Sequence, residues 1–136
     1  MQSSQANCGP TAMYNALQAL GIRRSLSECE RLCQTNATDG TYFTCLYEAI
    51  DSIRGCNPTY ITFKSWIPSI LTLREKLRRG RPTILIVDNE EHYVAAIGVL
   101  GDRVIIADSA LNELVVTYPE KQLQARWKPD FWGLTL

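Results

Sequence analysis

Pro82 separates two stretches with different hydrophobic periods, and that break limits the fold more than any other feature of the 136 residues. Upstream, apolar residues recur at helical spacing; downstream, short runs rich in β-branched and aromatic residues alternate with tight turns. Thr11 to Leu20 carries Met13, Ala16, Leu17 and Leu20 on one face, with Pro10 suited to a first turn and Gly21 as a stop. A second helix is expected from about Leu26 to Cys33, capped by Ser25 or Ser27. A third is expected from near Thr44 to Gly55, turning Leu46, Ala49, Ile50 and Ile53 inward, with Gly40-Thr41 in the loop before it. Pro58 to Phe63 reads as a strand, and Ser69 to Arg79 as a helix ended by Gly80.

Beyond Pro82 the strands are Thr83–Val87, Tyr93–Leu100, Arg103–Ala107 and Glu113–Tyr118, with Gly101-Asp102 as a hairpin turn. A short helix from Pro119 to Ala125 precedes a last strand around Phe131 to Leu136. Helices followed by antiparallel strands predict an α+β layer fold, with N-terminal helices packed on a C-terminal antiparallel sheet. Nothing in the chain reads as a repeat or linker, so residues 1–136 are expected to form a single domain.

Composition excludes several functions. With 46% hydrophobic and 21% charged residues and a net charge of zero, the chain is ordinary globular material without general attraction for nucleic acid or anionic lipid. The cluster Arg74, Lys76, Arg78, Arg79 and Arg81 reads as the solvated end of an amphipathic helix. No apolar stretch approaches the roughly 20 residues of a membrane span, and the N-terminus does not read as a signal peptide. Five cysteines match no disulfide scaffold and suit a reducing compartment, so a cytoplasmic location, or delivery into another cell's cytosol, is expected.

Cys8 carries the sharpest chemical signal. It stands before Gly9 and Pro10 at the mouth of the first helix, where unpaired amides and the positive dipole end favour thiolate over thiol. The chain holds a single histidine, His92, at the start of the run HYVAAIGVL. A histidine at a strand mouth can face a helix N-terminus and take the thiol's proton. Asp108 ends the next strand, beyond the hairpin, so antiparallel pairing brings it beside His92, where its carboxylate can fix the imidazole's tautomer. An oxyanion needs donors: the Cys8 amide offers one, and Gln2, Gln5 or Asn7 could offer a second. This chemistry requires no metal or other cofactor.

Together these residues resemble the papain-like cysteine peptidases of the C39 family, the leader-cleaving domains of bacteriocin-exporting ABC transporters and their free-standing relatives. The resemblance rests on Gln2, the block Cys8-Gly9-Pro10-Thr11-Ala12, Gly40-Thr41, His92-Tyr93-Val94 and Asp108, and extends to RRGRPTILIVD and GDRVIIADSA. It implies a papain-like fold and a catalytic set of Cys8, His92 and Asp108. It also selects Gln2, six residues before Cys8, over Gln5 for the oxyanion hole. The partners it implies are a polypeptide substrate and an ABC exporter or larger parent polypeptide. The start at Met1-Gln2 reads as that of an excised or trimmed domain.

Other readings remain open. The same thioester would serve a protein deamidase or a transglutaminase-like toxin, and a catalytically silent peptide-binding module is a third alternative. Cys29 and Cys33 could put two thiolates on one helix face, but zinc needs two further ligands, with only Cys45 and Cys56 spare, so buried free thiols are expected. Trp66, Trp127, Phe131 and Trp132 read as core or its edge, with a peptide-lining role as the alternative.

Overall fold

The computed structural model describes residues 8–33, 43–89, 92–108, 115–128 and 130–136. Its helices are α1 (Cys8–Leu20), α2 (Leu26–Leu32), α3 (Phe43–Asp51), α4 (Trp66–Arg78) and α5 (Glu120–Trp127). The strands are β1 (Thr59–Ile61), β2 (Thr83–Val87), β3 (His92–Leu100), β4 (Arg103–Ala107), β5 (Val115–Pro119) and β6 (Gly133–Thr135). They form one antiparallel sheet in the order β1-β6-β2-β3-β4-β5. This is the expected α+β architecture.

Local signals explain most boundaries. Ser25, not Ser27, caps α2: the Glu28 N–H donates to its Oγ at 3.0 Å. Helix α4 starts three residues before the expected Ser69, at Trp66, because Pro68 falls in the first turn, where its missing N–H removes no helical bond. Helix α3 stops at Asp51 rather than Gly55, yet Leu46, Ala49, Ile50 and Ile53 are all buried as expected. β1 and β6 are shorter than the runs that suggested them.

Helices cover both faces of the sheet. On one face α1, α2 and α3 pack Met13, Leu17, Leu46 and Ile50 against Ile84, Ala95, Ala107 and Leu134. On the other, α4 and α5 pack Ile70, Leu73, Leu123 and Trp127 against Leu85, Val87, Val94 and Ile106. Double coverage explains why TILIV shows no polar alternation: inward residues point both ways. The C-terminal strand β6 lies between β1 and β2, where a β-carbon on Gly133 would sit 3.2 Å from Thr83 Cγ2.

The β3–β4 hairpin carries an irregularity that matters for the site. Near the turn Leu100 pairs with Arg103 and Gly98 with Ile105, but further along Ala96 pairs with Ile106 and Ala95 with Ala107. Ile97 is therefore the extra residue of a β-bulge. Continued, this register sets Asp108 opposite Val94, two positions from His92 and on the same face. Without the bulge Asp108 would fall opposite Ala95, on the face away from His92.

Candidate active site

Three elements converge at one end of the sheet. Helix α1 begins at Cys8, which is only 4% exposed. Strand β3 begins at His92, and Asp108 directly follows β4. His92 Nε2 lies 2.6 Å from Asp108 Oδ1, with the side chains 19% and 21% exposed. His92 also hydrogen-bonds the Cys8 side chain; since Asp108 occupies Nε2, Nδ1 is the nitrogen left for the sulfur. The hairpin argument from sequence thus brings together the residues it named.

Electrostatics organise the cluster. The hydrogen bond to Asp108, then that to Cys8, pushes His92 up to about 9 against the opposing effect of burial. Asp108 is held below the usual carboxylate range, first by the bond from His92 and further by the positive charges of His92 and Arg126. An imidazole held by a carboxylate beside a sulfur is placed to exchange a proton with that sulfur.

Gln2, Gln5, Asn7 and Gly40-Thr41 lie outside the described residues. The Cys8 N–H belongs to the first turn of α1, whose amides lack intrahelical partners.

Sequence reasoning missed Arg126, near the end of α5. Its guanidinium makes a forked contact with Asp88, Nε to Oδ1 at 3.0 Å and Nη2 to Oδ2 at 2.7 Å. Nη1 donates to the Tyr118 hydroxyl at 3.0 Å and lies 3.6 Å from Asp108 Oδ2. The Asp88 N–H in turn donates to the Arg126 carbonyl at 2.8 Å. In sequence, an arginine in the last turn of a helix looks like any solvated cation complementing the dipole. As a half-exposed ion pair its contact with Asp88 is worth at most about 1 kcal/mol of stability.

The other candidates sort cleanly. Cys29 and Cys33 are buried free thiols; burial raises them to about 11 and about 12, and Cys33 Sγ contacts Met13 Sδ at 3.6 Å. Among the described residues no group of three or more metal-binding side chains gathers. Trp66, Trp127 and Phe131 pack on one another as core. Trp132 instead joins Phe43, whose ring also meets Tyr60 and Tyr93. Tyr93 lies within electrostatic reach of Cys8, so this partly exposed aromatic wall borders the site. Arg74 and Arg79, from the basic cluster, pair with Glu120 and Glu75.

An α+β domain with a cysteine heading a helix and a histidine–aspartate pair at the ends of two adjacent strands has the form of a papain-like cysteine peptidase. The profile of the Peptidase_C39 like family matches residues 1–130, and the chain belongs to that family. No curated protein matches it. Solved structures share the fold. The peptidase domain of Streptococcus ComA, a bifunctional ABC transporter of a quorum-sensing pathway, aligns with a TM-score of 0.71 at 20% identity, over 98% of this chain and 92% of that one. A double-glycine-motif protease from an AMS/PCAT transporter, in complex with its leader peptide, aligns at 0.72 and 20% identity, over 98% and 86%. A C39-like peptidase from Bacillus anthracis aligns at 0.70 and 15% identity, over 96% and 88%.

Proposed function

We propose that this chain is an active cysteine peptidase that hydrolyses a peptide bond in a polypeptide through a thioester on Cys8. The observation that carries the reading is the hydrogen-bonded series from Cys8 to His92 to Asp108 at the head of α1. The Cys8 thiolate attacks the scissile carbonyl carbon, and the oxyanion is held by the Cys8 N–H and Gln2. The His92 imidazolium gives its proton to the leaving amine as the C–N bond breaks. Neutral His92 then takes a proton from water, whose oxygen attacks the thioester and releases the acid and the thiol. Asp108 orients the ring through both steps.

A leader-type peptide is the substrate class we favour. The family membership supports it, as does the leader peptide bound to the AMS/PCAT protease. An exporter or larger parent polypeptide would be the associated partner. No helix among the described residues is long and apolar enough to cross a membrane.

Two measurements test the proposal. Iodoacetamide should label Cys8 first and fastest, well ahead of Cys45 and of the buried, high-pKa Cys29 and Cys33; labelling of Cys8 no faster than Cys45 removes the activated thiol. Mass spectrometry of a lysate treated with wild type or Cys8→Ala should show new chain termini with the wild type only. Conversion of glutamine to glutamate without chain cleavage would make the protein a deamidase, and equal peptide binding without turnover by both proteins would make it a silent binding module.

A further inference from the structure

The reading of Cys8, His92 and Asp108 as the reacting set leaves Arg126 without a role, although its guanidinium reaches that set directly. We propose that Arg126 is a positioning residue: clamped to Asp88, it holds the Asp108 carboxylate so that Oδ1 stays on His92 Nε2. This inference rests on the proposed roles of those three residues.

Three observations place Arg126 at a junction. Its Nε and Nη2 are committed to Asp88, which fixes the plane of the guanidinium and leaves Nη1 pointing away from that pair. Nη1 reaches the Tyr118 hydroxyl at 3.0 Å and comes within 3.6 Å of Asp108 Oδ2, the oxygen His92 does not use. The Arg126 carbonyl accepts from the Asp88 N–H, so the last turn of α5 is tied to the turn entering β3. Asp88 and Asn89, which open that turn, both have positive φ, 55° and 60°. Arg126 therefore touches both supports of the histidine: the carboxylate beside it and the turn preceding it. The terminal torsion of an aspartate is broad, and each partner its carboxylate meets narrows the swing. An arginine near the other oxygen restricts that swing.

Among the described residues, the charged and titratable groups around His92 come from every neighbouring element. They are Cys8 of α1, Asp108 after β4, Asp88 after β2, Arg126 of α5 and, behind the arginine, Tyr118 of β5. This set makes the sign of the effect informative. If Arg126 acted only as a nearby positive charge, removing it would make His92 easier to protonate, because Asp88 would also lose its partner. If it positions Asp108, removing it loosens the His92–Asp108 bond, and His92 becomes harder to protonate.

The single histidine of the chain makes the measurement direct: proton NMR of the untagged protein gives one imidazole titration. In Arg126→Gln the His92 midpoint should fall by about one pH unit relative to wild type, in the same direction as in Asp108→Asn. Arg126→Gln combined with Asp108→Asn should fall no further than Asp108→Asn alone. Arg126→Lys, which keeps the positive charge and loses the fork on Asp88, should give a fall of the same sign and serves if Arg126→Gln does not fold. A rise, no change, or additivity with Asp108→Asn overturns the positioning role. No substrate enters the experiment, so a chain that titrates as expected but cleaves nothing sinks the peptidase reading and leaves the inference standing. A wild-type midpoint at the ordinary histidine value would sink both.

Discussion

The two ends of the sheet are built from opposite materials. At the far end β3 turns into β4 through Gly101-Asp102, where glycine takes the left-handed conformation at φ 62° without steric cost. At the site end β2 leads toward β3 through Asp88 and Asn89, both left-handed and neither of them glycine. Cys8, His92, Asp108, Asp88 and Arg126 all gather at that end. The difference shows where a side chain is needed on the turn itself: glycine at position 88 could not supply the carboxylate that grips Arg126.

The largest test of this contrast is Asp108→Asn. It should lower peptide turnover roughly 10²- to 10⁴-fold by releasing the imidazole, while circular dichroism shows the fold retained. A fall no larger than that produced by a substitution at the far end would dissolve the distinction between the two ends.

The next effect is in pH. His92, pushed up to about 9 by Asp108 and Cys8, should keep its imidazolium through neutral pH, so turnover should fall as pH rises past about 9. In Asp108→Asn that fall should move toward the ordinary histidine value near 6.5. The sign for folding follows. A histidine whose folded pKa is raised contributes stability that is complete below about 6.5 and disappears as pH climbs through about 9. Asp88 and Asp108, both held low, contribute stability above the ordinary carboxylate value that is lost on acidification below it. Urea unfolding across pH should therefore show a plateau with a loss on each side.

Smaller effects separate stability from activity. Gly101→Ala should cost about 1 kcal/mol in urea unfolding, since alanine resists the left-handed conformation, with turnover unchanged. Asn89→Gly at the site end should gain about 0.5 kcal/mol at most, because asparagine already tolerates that conformation. A loss of turnover in Gly101→Ala would show that the far end is coupled to the chemistry after all.

Local signals made much of this legible. β2 and β4 run over the residues read from their β-branched composition, and Ser25 and Pro68 act through capping and first-turn rules. The order Cys8, His92, Asp108 was readable because a tight hairpin converts sequence distance into proximity. What escaped has no local signature. The insertion of β6 between β1 and β2 depends on pairing across most of the chain's length. The clustering of Phe43, Tyr60, Tyr93 and Trp132 depends on where α3 lands. The bulge at Ile97 was hidden because HYVAAIGVL, packed on both faces, shows no alternation whose slip could be detected. Arg126 was hidden because a clamped arginine and a solvated one look the same in sequence.

The bulge also decides where the protein can be modified by engineering. An epitope or fluorophore-bearing segment spliced between Gly101 and Asp102 lengthens only the connection and leaves the pairing of Ala95 with Ala107 as it is. One residue added or removed between Ile97 and the site reverses which face Asp108 presents, whatever its chemistry. The hairpin is therefore permissive at its tip and intolerant of odd-numbered changes near its base, so reporter insertions belong at the tip.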